Sequence, residues 1–166
     1  MSMAPQPKIP ESEFSFNLGI HLADVIGDPE ETSSEFLGFC EPIIFGDFDL
    51  SEGIARLPAP FDSFMYVYQA WGLIGSDGFE CYLDETDHSF DEEVDKGLKL
   101  FGCRRPQGVL KKTRFFLRLF GSRTGMLPKF IERFYWKRFY SPLEEFERDF
   151  LGPNIRKSLS LPNKAE

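Results

Sequence analysis

The middle of the chain has the hydrophobic spacing of an amphipathic helix. From Phe61 to Gly75, large apolar residues recur every three or four positions, which places them on one helical face. Pro58 and Pro60 precede this stretch and Asp62 lies in its first turn, as is typical of a helix start. The pattern predicts a buried central helix. Its inner-face residues are Phe61, Phe64, Met65, Tyr68 and Trp71.

Two more helices are predicted directly after it. The turn Ser76-Asp77-Gly78 precedes a short helix over 79–85, and a glycine in such a turn permits the positive φ that lets Phe79 bury its ring. Ser89-Phe90-Asp91-Glu92 then has the spacing of a capping box, and Gly102 stands where a C′ glycine ends a helix. The apolar stripe of this second helix is Phe90, Val94, Leu98 and Phe101.

The last third of the chain predicts three helices. The first starts at Pro106, ends at Phe120 before Gly121, and carries Lys111, Arg114 and Arg118 on its outer face. The second covers 128–140. The third is opened by a second capping-box spacing, Ser141-Pro142-Leu143-Glu144.

The N-terminal third has a weaker pattern. We expect a helix over Asn17 to Ile26 and a short helix beginning near Ser51, joined by a loop. The run Pro42-Ile43-Ile44-Phe45 is the one strand-like stretch in the sequence.

Together these elements predict an all-α fold, a single compact helical domain of about six to eight helices. The chain has 166 residues, of which 42% are hydrophobic, and this suits one domain with its own core. We expect residues 1–13 to be a flexible arm, 14–161 the helical domain and 162–166 a tail. Residues 1–13 contain three prolines and have neither the apolar stretch of a secretory signal nor the pattern of a transit peptide.

Localisation follows from the apolar stretches and the cysteines. The longest apolar stretch, 64–75, is shorter than the roughly twenty residues of a membrane-spanning helix, so we expect no membrane span. Cys40, Cys81 and Cys103 match no zinc or redox spacing. We expect them to be reduced and mostly buried, in a cytoplasmic protein.

Charge is distributed unevenly along the chain. Residues 1–100 hold 4 Lys+Arg and 21 Asp+Glu, and residues 101–166 hold 15 and 6, so the two parts carry −17 and +9 within a net charge of −8. Inside the acidic part, 77–95 contains no base, and six of its acids recur at intervals of three or four. These six are Asp77, Glu80, Asp84, Asp87, Asp91 and Asp95.

Two interpretations of this acidic row are open. The acidic and basic runs are either solvated helix faces that neutralise each other across the fold, or the carboxylates imitate phosphates. Residues three or four apart on a helix are about 5–6 Å apart, near the spacing of phosphates along a nucleic-acid strand. In the second case a basic DNA-binding protein, such as a transcription factor, would bind the row.

The basic run from Arg104 to Arg138 suggests an alternative function. Its cations alternate with aromatic residues, as in grooves where single-stranded nucleic acid binds through its backbone and stacked bases. The net charge of −8 opposes this function. The residues of this alternative site are Arg114, Arg118, Arg133 and Trp136.

The stretch from Pro58 to Gly102 resembles a bacterial family of helical proteins that includes a DNA-mimic protein. In that family a helix leads into an Asn-Asn-Gly-Gly-Phe-like turn, and here Gly78-Phe79 matches the Gly-Phe while Ser76 and Asp77 replace the expected residues. Phe139-Tyr140 is similar to a later Phe-Tyr element. The resemblance implies an all-α, often dimeric protein without catalytic chemistry, whose DNA-mimic member binds a transcription factor through an acidic surface.

No catalytic motif supports an enzyme. His21 and His88 are the two histidines; each has acids nearby, which a solvated acidic surface explains. The run starting at Asp47 lacks the glycine and the bidentate Glu of a calcium loop, and no phosphate loop or zinc-hydrolase motif occurs. The sequence therefore predicts no metal, no cofactor and a non-enzymatic acidic binding module for a basic protein partner.

Overall fold

The computed structural model describes residues 7–25, 28–45, 50–86 and 88–120, and these residues form helices and connecting turns without any strand. The predicted all-α fold is confirmed. The helices are α1 (Glu11–Leu22), α2 (Pro29–Ile44), α3 (Leu50–Ala55), α4 (Phe61–Glu85), α5 (His88–Leu100) and α6 (Arg104–Phe120). No helix in this part of the chain is both long enough and apolar enough to cross a membrane.

The largest difference from the sequence prediction is α2, which lies where a loop was expected. The strand-like run 42–45 is the end of this helix, with Pro42 inside its last turn. The start of α2 did have a signal: Pro29 is its first residue, and the backbone N–H of Glu31 donates to Asp28 Oδ1 at 3.2 Å. Asp28 is therefore an N-cap followed by a proline at the favoured first position.

The first helix also starts earlier than predicted. It begins at Glu11, within the predicted arm, and ends at Leu22. The chain before it is anchored, because Ile9 N–H donates to the Arg56 carbonyl at 2.9 Å and Lys8 pairs with Asp62 at 2.8 Å. Within the predicted arm, residues 8 and 9 therefore bond to the rest of the first unit, and residues 11–13 belong to α1.

By their contacts, the described residues separate into two compact units, residues 7–62 and 63–120. In the first unit, α1 packs on α2 and α2 packs on α3. Phe14 is at the centre, because its ring lies 5.5 Å from that of Phe39 and 5.0 Å from that of Phe61. The other buried residues of this core are Leu18, Leu22, Phe36, Cys40, Ile44, Ile54 and Leu57.

The second unit contains most of α4 together with α5 and α6. Three of the four residues of the predicted α5 stripe, Phe90, Val94 and Leu98, are buried, and Phe101 is half-buried. The ring of Phe90 packs edge-on against that of Tyr66 on α4, with centroids 5.2 Å apart. The predicted central helix is confirmed as well, but of its predicted inner face Tyr68 and Trp71 are only half-buried. The buried residues that α4 contributes here are Phe64, Met65, Tyr66, Val67, Ala70, Ile74 and Tyr82.

Gly78 interrupts α4. Its φ of 85° and ψ of 175° lie outside the helical region, and the chain is helical on both sides. Positive φ at this residue confirms the predicted break, although Ser76 and Asp77 stay helical. The side chain of Phe79 lies outside the described ones.

Gly102 ends α5 as predicted, with a φ of 73°. The N–H of Cys103 donates to the Leu98 carbonyl at 2.8 Å and the N–H of Gly102 donates to that of Lys99 at 3.1 Å. These two bonds form a Schellman motif. A short connection then leads into α6, which contacts α5 along its length as the second arm of a helical hairpin.

Two helix starts differ from the predicted ones by a turn or less. Ser89 lies inside the first turn of α5, which begins at His88, and α6 begins at Arg104 ahead of Pro106. The predicted helices over 128–140 and from Ser141, together with Phe139-Tyr140 and the predicted tail, lie outside the described residues.

Gly97 and Gly72 give a matched test of packing in the second unit. A Cβ at Gly97 would lie 2.6 Å from the Ser63 carbonyl oxygen and 2.7 Å from Val67 Cγ2, whereas one at Gly72 would meet nothing within 4 Å. We predict that Gly97→Ala lowers the free energy of unfolding by about 1–3 kcal/mol through overpacking. Gly72→Ala should raise it by about 0.5–1 kcal/mol through helix propensity. Urea unfolding measures both, and equal effects would contradict the close approach of α5 to α4.

Candidate functional site

The six acids of the predicted binding row lie in different surroundings. Asp77, Glu80 and Asp84 belong to α4, and Asp91 and Asp95 belong to α5. The backbone of the first three is described but their side chains are not, and Asp87 lies outside the described residues. The geometry of the row is therefore known at Asp91 and Asp95.

Asp91 is held by two other side chains from neighbouring helices. The Tyr82 hydroxyl of α4 donates to Asp91 Oδ1 at 2.7 Å. The Arg114 guanidinium of α6 lies 2.6 Å from the same oxygen and also donates to the Asp91 carbonyl at 3.3 Å. Arg114 Nη2 further donates to the Tyr82 oxygen at 3.3 Å. We call these three residues the Tyr82–Asp91–Arg114 cluster.

The cluster is largely withdrawn from water. Tyr82 is completely buried, and the side chains of Asp91 and Arg114 are only 14% and 16% exposed. Burial raises the pKa of Tyr82 well above its usual range, and the charge and hydrogen bond of Asp91 raise it further, while Arg114 acts in the opposite direction. The hydroxyl therefore stays protonated at neutral pH and serves as a donor.

Asp95, one turn after Asp91, makes a second set of contacts with α6. Gln107 Nε2 donates to Asp95 Oδ1 at 3.0 Å, and Lys111 Nζ lies 3.3 Å from Asp95 Oδ2. Lys111 remains more than half exposed, so this pair is screened by water and is weaker than the one at Asp91. The carboxylates of Asp91 and Asp95 thus both interact with side chains of α6.

These contacts decide between the two interpretations for two members of the row. At Asp91 and Asp95, acidic and basic segments neutralise each other within one molecule, as the first interpretation expects. The expectation that the whole row faces outward unpaired therefore fails at these two residues. The physical reason is that α6 returns antiparallel to α5 and places its cations one turn apart beside carboxylates one turn apart.

Arg114, one residue of the alternative nucleic-acid site, is paired inside the protein in the same way. Arg114 was expected on an outer face, yet its guanidinium is turned inward to Asp91 and Tyr82. It is therefore not available to a phosphate backbone unless the cluster opens. The side chain of Arg118 is not among the described ones, and Arg133 and Trp136 lie outside the described residues.

The sequence prediction missed the exposed carboxylates of the first unit. Residues 1–62 hold 12 Asp+Glu against 2 Lys+Arg, a balance of −10. Lys8 pairs with Asp62, and His21 with Glu35 at 3.0 Å. Within the described residues, five other carboxylates of this unit are exposed and in no ion pair. They are Glu11, Glu13, Asp24, Glu31 and Glu41.

The described residues offer little reactive chemistry. No group of three or more His, Cys, Asp or Glu among them is arranged to hold a metal ion. Cys40 and Cys103 are free thiols, and burial raises the pKa of Cys40 to about 12 and also raises the pKa of Cys103. Because the thiolate is the reactive form, these thiols are poor nucleophiles at neutral pH.

Comparison with protein-family models, curated protein sequences and solved structures finds no match to this chain. The resemblance to the DNA-mimic family rests on the short motifs around Gly78-Phe79 and stays a prediction. We therefore infer the function from the geometry and charge of the chain itself.

Tyr82 should make stability fall at alkaline pH. A tyrosine in the unfolded chain ionises near pH 10, while the buried cluster holds the pKa of Tyr82 higher, so the unfolded state binds fewer protons above that pH. We predict that the free energy of unfolding falls above about pH 10, by at most about 1.4 kcal/mol per pH unit from this group. Urea unfolding between about pH 8.5 and 11.5 should show this component in the wild type but not in Tyr82→Phe. Identical slopes would contradict the buried position of the hydroxyl.

The two α5–α6 ion pairs should differ in their contribution to stability. Arg114→Met leaves the nearly buried Asp91 carboxylate without its cation, and we predict a loss of about 2–4 kcal/mol in the free energy of unfolding. Lys111→Met, at the exposed pair with Asp95, should cost about 0–1 kcal/mol. Adding Asp91→Asn to Arg114→Met should cost much less than the sum of the single changes. Additive losses in this cycle would show that the two side chains do not interact.

Proposed function

We propose that the protein is a non-enzymatic binding module of the cytoplasm that presents a carboxylate-rich surface to a basic protein partner. A DNA-binding regulator is the partner class we propose, because such proteins carry cationic surfaces that match closely spaced negative charges. The free thiols Cys40 and Cys103 suit a reducing compartment.

The observation that carries this proposal is the exposed negative charge of the first unit. Five carboxylates of α1, α2 and the turn between them are exposed and form no ion pair within the described residues. A partner can neutralise them without first breaking an internal bond. Asp91 and Asp95, in contrast, would have to leave Arg114 and Lys111.

The proposal therefore places the main binding surface on the first unit. Asp77, Glu80, Asp84 and Asp87 stay a separate prediction for contacts with the basic partner. Asp91 and Asp95 are assigned instead to holding α5 against α6. The force that draws the partner is long-range attraction, which raises the association rate and weakens as salt screens it.

Nucleic-acid binding through the basic segment is the competing function. It requires cations on an open surface, and the one member of its site with a described side chain, Arg114, is mostly buried. The charge of the first unit also opposes the approach of a polyanion.

The test compares unpaired with internally paired carboxylates. The test variant is Glu13→Gln/Glu31→Gln/Glu41→Gln. The control, Glu35→Gln/Glu93→Gln/Asp95→Asn, removes the same charge from residues that already have cationic or imidazole partners. Each immobilised protein is incubated with the DNA-binding fraction of a lysate of the source cells, and retained proteins are quantified by mass spectrometry.

We predict that the wild type and the control retain the same basic DNA-binding protein, which salt elutes, and that the test variant retains at least about tenfold less of it. Equal retention by the test variant, or no basic protein on the wild type, would contradict the proposed function. Salt-sensitive binding of a single-stranded oligonucleotide by the wild type would favour the competing function.

A further inference from the structure

Helix α1 carries large apolar residues on two opposite faces. Phe14, Leu18 and Leu22 point into the core of the first unit and are buried. Phe16 and Ile20, in contrast, are 69% and 64% exposed. An amphipathic helix on a protein surface normally has polar residues at such positions.

The exposed pair is part of a continuous stripe with an acid at each end. At about 100° per residue, Glu13, Phe16 and Ile20 fall on one side of α1, opposite the buried residues, and Asp24 follows in the turn after Leu22. The backbone stays helical at Ala23, which carries the direction of the stripe on toward Asp24. Glu13 and Asp24 are both exposed. We call these four residues the α1 outer stripe.

The space beside the stripe is open. A Cβ added at Gly19, on the flank of Phe16 and Ile20, would meet no atom within 4 Å. Together with the exposure of Phe16 and Ile20, this leaves the surface of α1 accessible at the stripe. The nearest polar side-chain contact on α1, between His21 and Glu35, lies toward α2 and leaves the stripe uncovered.

We propose that the α1 outer stripe is the docking site for an amphipathic helix of the basic partner. Phe16 and Ile20 pack against apolar residues of that helix, while Glu13 and Asp24 pair with lysines or arginines near its two ends. This inference rests on the proposed function and specifies its partner, since charge alone would accept any cationic surface.

The dimensions of the stripe define the partner helix. Glu13 and Ile20 are seven residues apart on α1, which corresponds to about 10 Å along the helix axis, and Asp24 lies in the turn beyond Leu22. The partner therefore needs about three turns, with apolar residues at i, i+3 or i+4 between cations at both ends. Because both ends of the stripe are acidic, the partner helix fits in either direction.

Binding at this site should have two components that respond differently to salt. The carboxylates attract the partner over a distance and lose effect as ionic strength rises. The burial of Phe16 and Ile20 is insensitive to screening and should persist at high salt. A surface that acts through charge alone would lose all its binding under the same conditions.

The experiment uses the full chain and a synthetic probe. The probe is a fluorescein-labelled amphipathic peptide of about four turns with a leucine stripe and lysines at both ends. A second peptide of the same composition has its leucines scattered around the helix. Binding is followed by fluorescence anisotropy at about 50 mM and 500 mM salt. Analytical ultracentrifugation reports the mass of each variant.

The variants separate the apolar from the acidic contribution. Phe16→Ala/Ile20→Ala removes the apolar pair and keeps the acids, and Glu13→Gln/Asp24→Asn does the reverse. The matched control, Phe115→Ala/Leu119→Ala, removes an equally exposed pair with the same spacing from α6. Because all these side chains are exposed, the variants should keep the wild-type circular dichroism spectrum.

We expect the wild type and the α6 control to bind the striped probe with equal affinity and to bind the scattered peptide at least about tenfold more weakly. Phe16→Ala/Ile20→Ala should lose at least about tenfold in affinity at both salt concentrations. Glu13→Gln/Asp24→Asn should lose affinity mainly at low salt.

Three outcomes would overturn the inference. The first is that the wild type does not bind the striped probe, and the second is that Phe16→Ala/Ile20→Ala binds it as tightly as the wild type does. The third is a wild-type oligomer that Phe16→Ala/Ile20→Ala converts to a monomer, because the stripe would then contact a second copy of the chain. If the peptide experiment gives one of these outcomes but Glu13→Gln/Glu31→Gln/Glu41→Gln still captures less of the basic protein, the docking site is wrong and the proposed function stands. If that triple variant also captures normally, both fail.

Discussion

The ion pair between Asp91 and Arg114, with the Tyr82 hydroxyl as a third member, determines how charge is presented by the second unit. It joins α4, α5 and α6 through a few atoms in a nearly dry environment, where loss of one member leaves a charge without compensation. The acids of this α5 face are therefore structural. Five exposed carboxylates that form no ion pair among the described residues lie in the first unit, where carboxylates outnumber cations.

Local chemistry predicted the second unit well. The central helix, the buried stripe of α5 and the glycines that break α4 and end α5 were all found, because spacing, caps and glycine conformation agree there. The predictions for α1 and α2 failed because the hydrophobic pattern there was ambiguous. On α1, Phe16 and Ile20 obscure the period set by Phe14 and Leu18, and in α2 the short run around Pro42 suited either a strand or a helix.

The candidate site was harder to predict than the fold. Sequence spacing showed that Asp91 and Arg114 each lie on a charged helix face, but the pairing of these faces depends on how α6 is rotated against α5. That rotation is set by tertiary packing, which spacing along one helix does not encode. The α1 outer stripe was missed for a related reason, since two apolar residues on a helix look the same in sequence whether they face the core or the solvent.

The ion pairs between α5 and α6 depend on the length of the connection around the capped turn at Gly102. Its two hydrogen bonds fix where α5 stops, and α6 begins at Arg104, two residues after Gly102. One residue inserted in the first turn of α6 would turn the rest of this helix by about 100° relative to its start and carry Lys111 and Arg114 away from their carboxylates together. Natural variation in this hairpin should thus occur as substitutions on its outer surface, whereas insertions and deletions between the two helices should be rare.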